Sequence, residues 1–214
     1  MIKIFKTTDS GVLQISEFED NSWISMTNPT TEELFSVSST YKIAPDDLRA
    51  SLDEEERSRI EIEENYSLIL VDIPTIEERN GKDWYGTIPL AIIICDKVIV
   101  TVCLEDSPVL TAFMDGRVRN FYTHMKTRFI FQILYRNATL YLNYLRIIDR
   151  RSDAIEQKLH EATKNRELIE LLELEKSLVF FTTSLKSNEV VLEKLLKSTA
   201  IKKYPEDEDL IEDV

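Results

Sequence analysis

Residues 127–162 read TRFIFQILYRNATLYLNYLRIIDRRSDAIEQKLHEA, and this stretch decides the fold. It lies inside a run of 88 residues, from Arg117 to Tyr204, that contains neither glycine nor proline. All four glycines and five of the six prolines fall at or before Gly116. Those two residues punctuate turns and interrupt helices, so the second half of the chain is confined to long helix while the first half is rich in turns. Within the stretch, Ile130, Leu134, Tyr141, Leu145, Ile148, Ile155 and Leu159 recur at helical spacing on one face. At 1.5 Å per residue such a helix is a rod of about 54 Å. Residues 163–165 predict a brief polar break. A second helix follows, marked by Leu168, Leu171, Leu172, Leu178, Leu185, Leu192 and Leu196 and ending near Thr199. A short connection between long helices predicts an antiparallel hairpin. Both apolar stripes thicken, at 129–135 and at 178–181, and these regions are expected to pack on the first half with the far ends projecting.

Working back from the hairpin, Ser107-Pro108 opens a short helix through Met114, with serine as cap and proline in the first position. Before it, residues 88–94 are continuously apolar, as in a strand covered on both faces. Asp96-Lys97 turns that strand into 98–103, and Asn80-Gly81 is a strong hairpin signal ahead of it. From Arg59 to Ile73 apolar residues alternate, predicting a single strand. Asn28-Pro29-Thr30 and Ala44-Pro45-Asp46-Asp47 each start a short helix, the second running into the charged residues 53–56. Residues 2–5 and 12–18 predict a hairpin turned at 9–11, and 22–27 a third strand. The fold class is therefore α/β (α+β): a mainly antiparallel sheet covered by short helices, followed by two long antiparallel helices. The expected divisions are a head at 1–125, a helical hairpin at 126–200 and the start of a further helix at 201–214. Residues 207–214 read as a helix just beginning, so the sequence is expected to continue beyond Val214.

A net charge of −13 argues against a nucleic-acid partner, which needs clustered Lys and Arg. No apolar run reaches the 18–20 residues or so that cross a bilayer. Cys95 and Cys103 sit in apolar strands and read as reduced core residues, so the sequence is cytosolic in character. There is no glycine-rich phosphate loop, no dinucleotide fingerprint and no His-Glu-x-x-His, so no enzyme is predicted. His124 and His160 read as exposed side chains. Asp149 and Asp153 have Arg146 and Arg150 one turn away and are expected to pair with them. Carboxylates crowd at Asp46, Asp47 and 53–56, and again at 206–209 with Glu212 and Asp213. The bland reading of both groups is a solvated acidic surface. The sharper one is cation binding, because Mg2+ takes oxygen ligands, keeps most of its waters and often touches only one or two carboxylates.

The order of these parts resembles the cytoplasmic portion of the CorA family of divalent-cation transporters. Tyr41-Lys-Ile-Ala-Pro-Asp-Asp-Leu, followed by Arg59-Ile-Glu-Ile-Glu-Glu-Asn-Tyr-Ser-Leu-Ile-Leu, is similar to that family's helix-then-strand segment. Leu90-Ala-Ile-Ile-Ile-Cys-Asp-Lys-Val-Ile-Val-Thr-Val is similar to its central hairpin, and the two leucine-rich helices to its paired helices. The resemblance runs from about Trp23 onward. It implies a regulatory, cation-sensing module of a homopentameric Mg2+ channel, with Co2+ as a second cation. It also implies a plasma-membrane location for the whole protein, this part lying on the cytoplasmic side. The family's two transmembrane helices and its Gly-Met-Asn pore loop would lie outside these residues. Alignment through Pro45 and Leu52 puts Ala50 where the family's sensing aspartate stands. Asp46, Asp47 or Asp53 is then expected to serve as metal ligand, with Asp213 marking the acidic partner on a neighbouring subunit. Two rival readings stand beside this one. The first is an acidic helical scaffold with no transport role. The second is a metal-dependent hydrolase built from scattered carboxylates.

Overall fold

The computed structural model describes residues 1–79, 81–161, 165–199 and 201–214. The chain opens with β1 (Ile2–Thr8), β2 (Gly11–Ile15) and β3 (Trp23–Thr27), then α1 (Thr31–Tyr41), α2 (Pro45–Arg49) and a 3-10 turn at Ala50–Leu52. Next come β4 (Arg59–Ile62), β5 (Tyr66–Arg79), β6 (Lys82–Cys95) and β7 (Ile99–Cys103). These form a seven-stranded sheet in the order β2-β1-β3-β7-β6-β5-β4. Only the β3–β7 pair among them is parallel, and the long connection it needs runs through α1, α2, the 3-10 turn and the strands β4 to β6. The helix starts follow the cap chemistry. Thr30 and Glu33 close a reciprocal capping box on α1, and Ser107 accepts from the Val109 amide to open α3 (Pro108–Met114).

One expectation fails in the sheet. Residues 59–73 are two strands, with β4 turning back on β5 at 63–65, where the Glu63 amide donates to the Tyr66 carbonyl at 2.9 Å. Ile60, Ile62, Tyr66, Leu68 and Leu70 are all even-numbered, so the alternation passes through the turn without a break in phase and conceals it. The β5–β6 hairpin closes between Arg79 and Lys82, with Gly81 at φ +73° supplying the left-handed turn. Asn80, expected in that turn, lies outside the described residues.

The sheet is covered on both faces. Ile4, Ile24, Leu68, Leu70, Ile93 and Val100 meet Leu34, Val37 and Leu48 of the short helices on one side. Phe5, Trp23, Val71, Leu90 and Ile99 meet α3 and the long helices α4 (Lys126–Glu161) and α5 (Asn165–Lys197) on the other. The helices are antiparallel: Tyr141 meets Phe181 while Arg151, further along α4, meets the earlier Glu170 of α5. Of the polar break expected at 163–165, Asn165 already belongs to α5 and the rest lies outside the described residues. A 3-10 turn at Pro205–Asp207 and α6 (Glu208–Asp213) complete the chain and lie against α4.

Residues 129–134 are buried toward the sheet as expected, with Tyr135 left exposed, but of 178–181 only Phe181 is buried. Leu178, Val179 and Phe180 are 41%, 60% and 46% exposed, so most of that apolar run faces outward. Phe180 reaches the extended β5–β6 hairpin, where its ring lies 5.6 Å from that of Trp84. Trp84 also carries the Arg79 guanidinium 3.7 Å over its ring, and a Cβ on Gly86 would stand 2.4 Å from that ring. Gly86→Ala is expected to swing the indole off both partners, at about 1–2 kcal/mol. Tryptophan emission should then shift to the red from Trp84 alone, because Trp23 is fully buried. An unshifted spectrum would show that the ring adapts in place.

Candidate functional site

The acidic side chains of the α2 region point three ways. Asp46 is exposed on the first turn of α2. Asp47, half-buried, accepts a hydrogen bond from the Tyr66 hydroxyl, which in turn receives the Ala44 amide at 3.2 Å. Burial first, and then the Asp47 bond, push the Tyr66 hydroxyl up to about 12, so it stays a donor throughout the physiological range. Asp53 is exposed and folds onto its own turn, accepting from the Glu55 amide at 3.0 Å. Ala50 is buried among the core residues under the sheet. Its neighbour Ser51 is pinned to the Val102 carbonyl at 2.8 Å. A carboxylate at position 50 would face apolar side chains in this backbone rather than water.

Asp213 is exposed on α6, whose Leu210 and Ile211 pack into the core cluster on the long-helix side. The α2 region packs on the opposite face of the sheet. One chain therefore keeps Asp213 apart from Asp46, Asp47 and Asp53. Among the described residues no three His, Cys, Asp or Glu side chains come together as a metal-holding group. A hydrated Mg2+ fits exposed carboxylates of this kind, which suit one or two ligands per chain rather than an enclosed cage. Asp149 and Asp153 form no ion pair with Arg146 or Arg150 among the described residues. The long helices are instead tied through Arg151 to Glu170, with Lys82 on the same carboxylate. Those two cations, with the Lys82 bond foremost, hold the Glu170 carboxyl below its ordinary range.

Two further polar clusters emerge from the packing. At the first, β4 begins at Arg59, opposite Leu70, so the edge of β5 is open at Asp72. Asn188 of α5 fills the gap. Its amide nitrogen donates to the Asp72 carbonyl and its oxygen accepts from the Asp72 amide, both at 2.8 Å. Asn137 and Tyr141 of α4 donate to the same carbonyl at 2.9 and 3.2 Å. Burial raises the Asp72 carboxyl, against the lowering effect of the Ser184 and Ser58 hydroxyls. The signal was present in the sequence as asparagines standing at apolar phase in both long helices. The second cluster holds residues 201–207 to the start of α4 through Thr127 and Arg128, and borders a cleft of about 690 Å3. On the far side of the cleft are Glu63 and Glu64 of the β4–β5 turn and Asp96 of the β6–β7 turn. Lys126 projects there, donating to the Cys95 carbonyl at 2.8 Å and to that of Asp96.

Nucleophile chemistry finds no support. Cys95 and Cys103 are free and buried, and burial pushes both thiols up to about 11. Among the described residues no helix is long and apolar enough to cross a membrane.

The family of CorA-like Mg2+ transporter proteins matches this chain over residues 18–214. The cobalt/magnesium transport protein CorA of Methanocaldococcus jannaschii is 30% identical over 201 residues, which is 90% of this chain and 60% of that protein. The chain thus spans about three fifths of that relative's length. The soluble domain of CorA from the same organism matches with a TM-score of 0.84 at 25% identity, covering 100% of this chain and 86% of that one. The cytoplasmic domain of ZntB from Vibrio parahaemolyticus shares the fold alone, with a TM-score of 0.68 at 9% identity over 91% of this chain and 78% of that one.

Proposed function

Because this chain belongs to the CorA-like Mg2+ transporter protein family, we propose that it is the cation-sensing, cytoplasmic part of a membrane transporter for Mg2+, with Co2+ as a second cargo. The observation that carries this reading is the match of the whole chain to the soluble domain of an archaeal CorA. Membership of a transporter family assigns it no catalytic step. The head (1–125), the hairpin (126–200) and the terminal segment (201–214) then serve as ligand-bearing body, support and output. The proposed assembly is a ring of identical subunits, five by resemblance to the family, attached to the membrane through residues outside this sequence.

The proposed mechanism is electrostatic. Asp46, Asp47 and Asp53 lie across the sheet from Asp213, so one Mg2+ joins these groups only by bridging two chains. At low cation the acidic faces repel and hold neighbouring subunits apart. Bound Mg2+ offsets that repulsion and favours the closed ring. A ligand shifts such an equilibrium only by its differential affinity for the two arrangements, so weak sites repeated around the ring act in sum. The outward apolar residues of α5, Leu172, Val179 and Val190, offer apolar surface that a neighbouring subunit would cover.

Thermal unfolding with MgCl2, against NaCl of equal ionic strength, tests the binding. At ten times the dissociation constant the expected gain is about 1.4 kcal/mol, or roughly 3–6 °C for a chain of this size. The gain should disappear in the triple variant Asp46→Asn, Asp47→Asn, Asp53→Asn. Equal shifts from both salts would reduce the effect to screening and overturn the sensing role.

A further inference from the structure

From Gly116 to Ile148 the chain has no acidic side chain, although its net charge is −13. The same stretch carries six cations, at Arg117, Arg119, Lys126, Arg128, Arg136 and Arg146. Among the described residues four arginines are half-buried: Arg59, Arg128, Arg136 and Arg151. Three of them meet carboxylates, Arg59 on Glu56 and Glu61, Arg128 on Asp207 and Arg151 on Glu170. Arg136 meets none among the described residues, and its Nε is shut away from water without an acceptor. A guanidinium shielded in this way is ordinarily paired. Gln132, one turn back, gives its amide nitrogen to the Arg119 and Asn120 carbonyls, while its own oxygen makes no hydrogen bond. The guanidinium lies 5.9 Å from the centre of the Phe113 ring. Burial, and after it the charge of Arg117, hold the group below its ordinary range. Arg136 borders a pocket of about 120 Å3 between α3 and α4, shared with Tyr135, Thr139 and Asn143 and with the apolar Val109 and Leu140. Positions 136, 139, 140 and 143 fall on one face of α4. Thr139 has given its hydroxyl proton to the Tyr135 carbonyl at 2.9 Å, but the Asn143 amide and the Tyr135 hydroxyl have no protein partner among the described residues.

We propose that this pocket is a binding site for a phosphate-class oxyanion, with Arg136 as its anchor and Asn143 and Tyr135 as further donors. The planar guanidinium offers two parallel N–H bonds to a pair of phosphate oxygens, and the ligand supplies the charge that Arg136 lacks from the protein. Donors on three different side chains suit a tetrahedral anion better than a planar carboxylate, which one guanidinium already satisfies. The pocket takes a single phosphate group, so a nucleotide would leave its sugar and base outside. Arg117 and the acid-free stretch around it raise the local potential, drawing anions to a molecule whose net charge repels them. The site lies on the long-helix side of the sheet, across from Asp46, Asp47 and Asp53, and is independent of the sensing role proposed above.

Backbone amide NMR of the 214-residue chain, titrated with sodium phosphate against NaCl of equal ionic strength, tests the site. Saturable shifts are expected at 108–110 and 135–143, with a Kd on the order of 1 mM or tighter. Arg136→Gln should weaken binding at least about tenfold, whereas Arg119→Gln, outside the pocket on an exposed side chain, should stay within about twofold. Asn143→Asp sets a carboxylate beside Arg136, which should occupy the guanidinium from within and weaken phosphate binding by a similar factor. A parallel titration with ADP separates the sources. Equal affinity assigns the site to the free anion, binding about tenfold tighter assigns it to the phosphate end of a nucleotide, and either result supports it. Shifts that never saturate for either ligand, or that weaken alike in Arg119→Gln and Arg136→Gln, reduce the effect to general attraction and overturn the site. Should Arg136→Gln fail to fold, Asn143→Asp decides: lost binding supports the site and unchanged binding overturns it.

Discussion

Phe129→Ala is expected to cost about 4 kcal/mol and to lower the melting temperature by roughly 8–16 °C, the largest effect of any single truncation considered. Phe129 is fully buried at the base of α4, and its ring centroid lies 5.0 Å from Trp23, 4.9 Å from Phe113 and 4.6 Å from Phe121. Those rings come from β3, α3, the following loop and α4, so the cluster joins the sheet to the helical hairpin. The alanine removes more than transferred area. The surrounding rings are themselves locked by edge contacts and by the Trp23 N–H bond to the Thr101 hydroxyl at 2.9 Å, so they cannot collapse into the space. Phe35→Ala provides the contrast, because Phe35 is 71% exposed on α1 and its loss should fall within about 0.5 kcal/mol. Denaturant titration of both variants checks the pair. A Phe129 effect near 1 kcal/mol would mean that the aromatic cluster relaxes far more than its packing suggests.

Asn188→Leu is expected to cost about 3 kcal/mol, or roughly 6–12 °C. Leucine is close in size, so packing changes little and the loss comes from hydrogen bonding. Without the asparagine the Asp72 amide has no acceptor, since β4 begins only at Arg59, opposite Leu70, and a stranded donor costs about 1–3 kcal/mol in itself. The Asp72 carbonyl suffers less, keeping Asn137 and Tyr141. An order of effects is expected as well as a size. Asn137→Ala should cost only about 1–2 kcal/mol, because every Asp72 group keeps a partner and the Asn137 side-chain oxygen makes no hydrogen bond. Equal losses at the two positions would show that the edge of β5 is not what Asn188 protects. Equilibrium unfolding with hydrogen exchange at 70–74 separates local from global effects.

The two effects differ in how visible they are beforehand. An apolar thickening at 129–135 can be read directly from the string of residues, and it does pack on the sheet. The Asn188 bond cannot be read that way, because it depends on how far β4 reaches along β5, a register set by the turn at 63–65 that unbroken alternation conceals. The outward-facing apolar residues of α5 are a similar case. Leu172, Val179 and Val190 fit a helix whose buried face is instead marked by Leu174, Phe181, Asn188 and Val191, so two apolar stripes run along one rod. Helical spacing alone does not say which of two such stripes meets the sheet.

The amino-acid order by itself determined the class of elements and most of their ends: long helices where glycine and proline are absent, caps at Thr30 and Ser107, covered strands where apolar residues run on. Those are local matters, settled by backbone sterics and by groups a few residues apart. The folded arrangement decided which carboxylates share a side. It placed Ala50 in the core, set Asp213 across the sheet from Asp46, Asp47 and Asp53, and drew Asp207 alone of six acids onto Arg128. Position in space depends on strand order and helix docking, which are fixed by burial summed over the whole chain, and no short stretch of residues carries that sum.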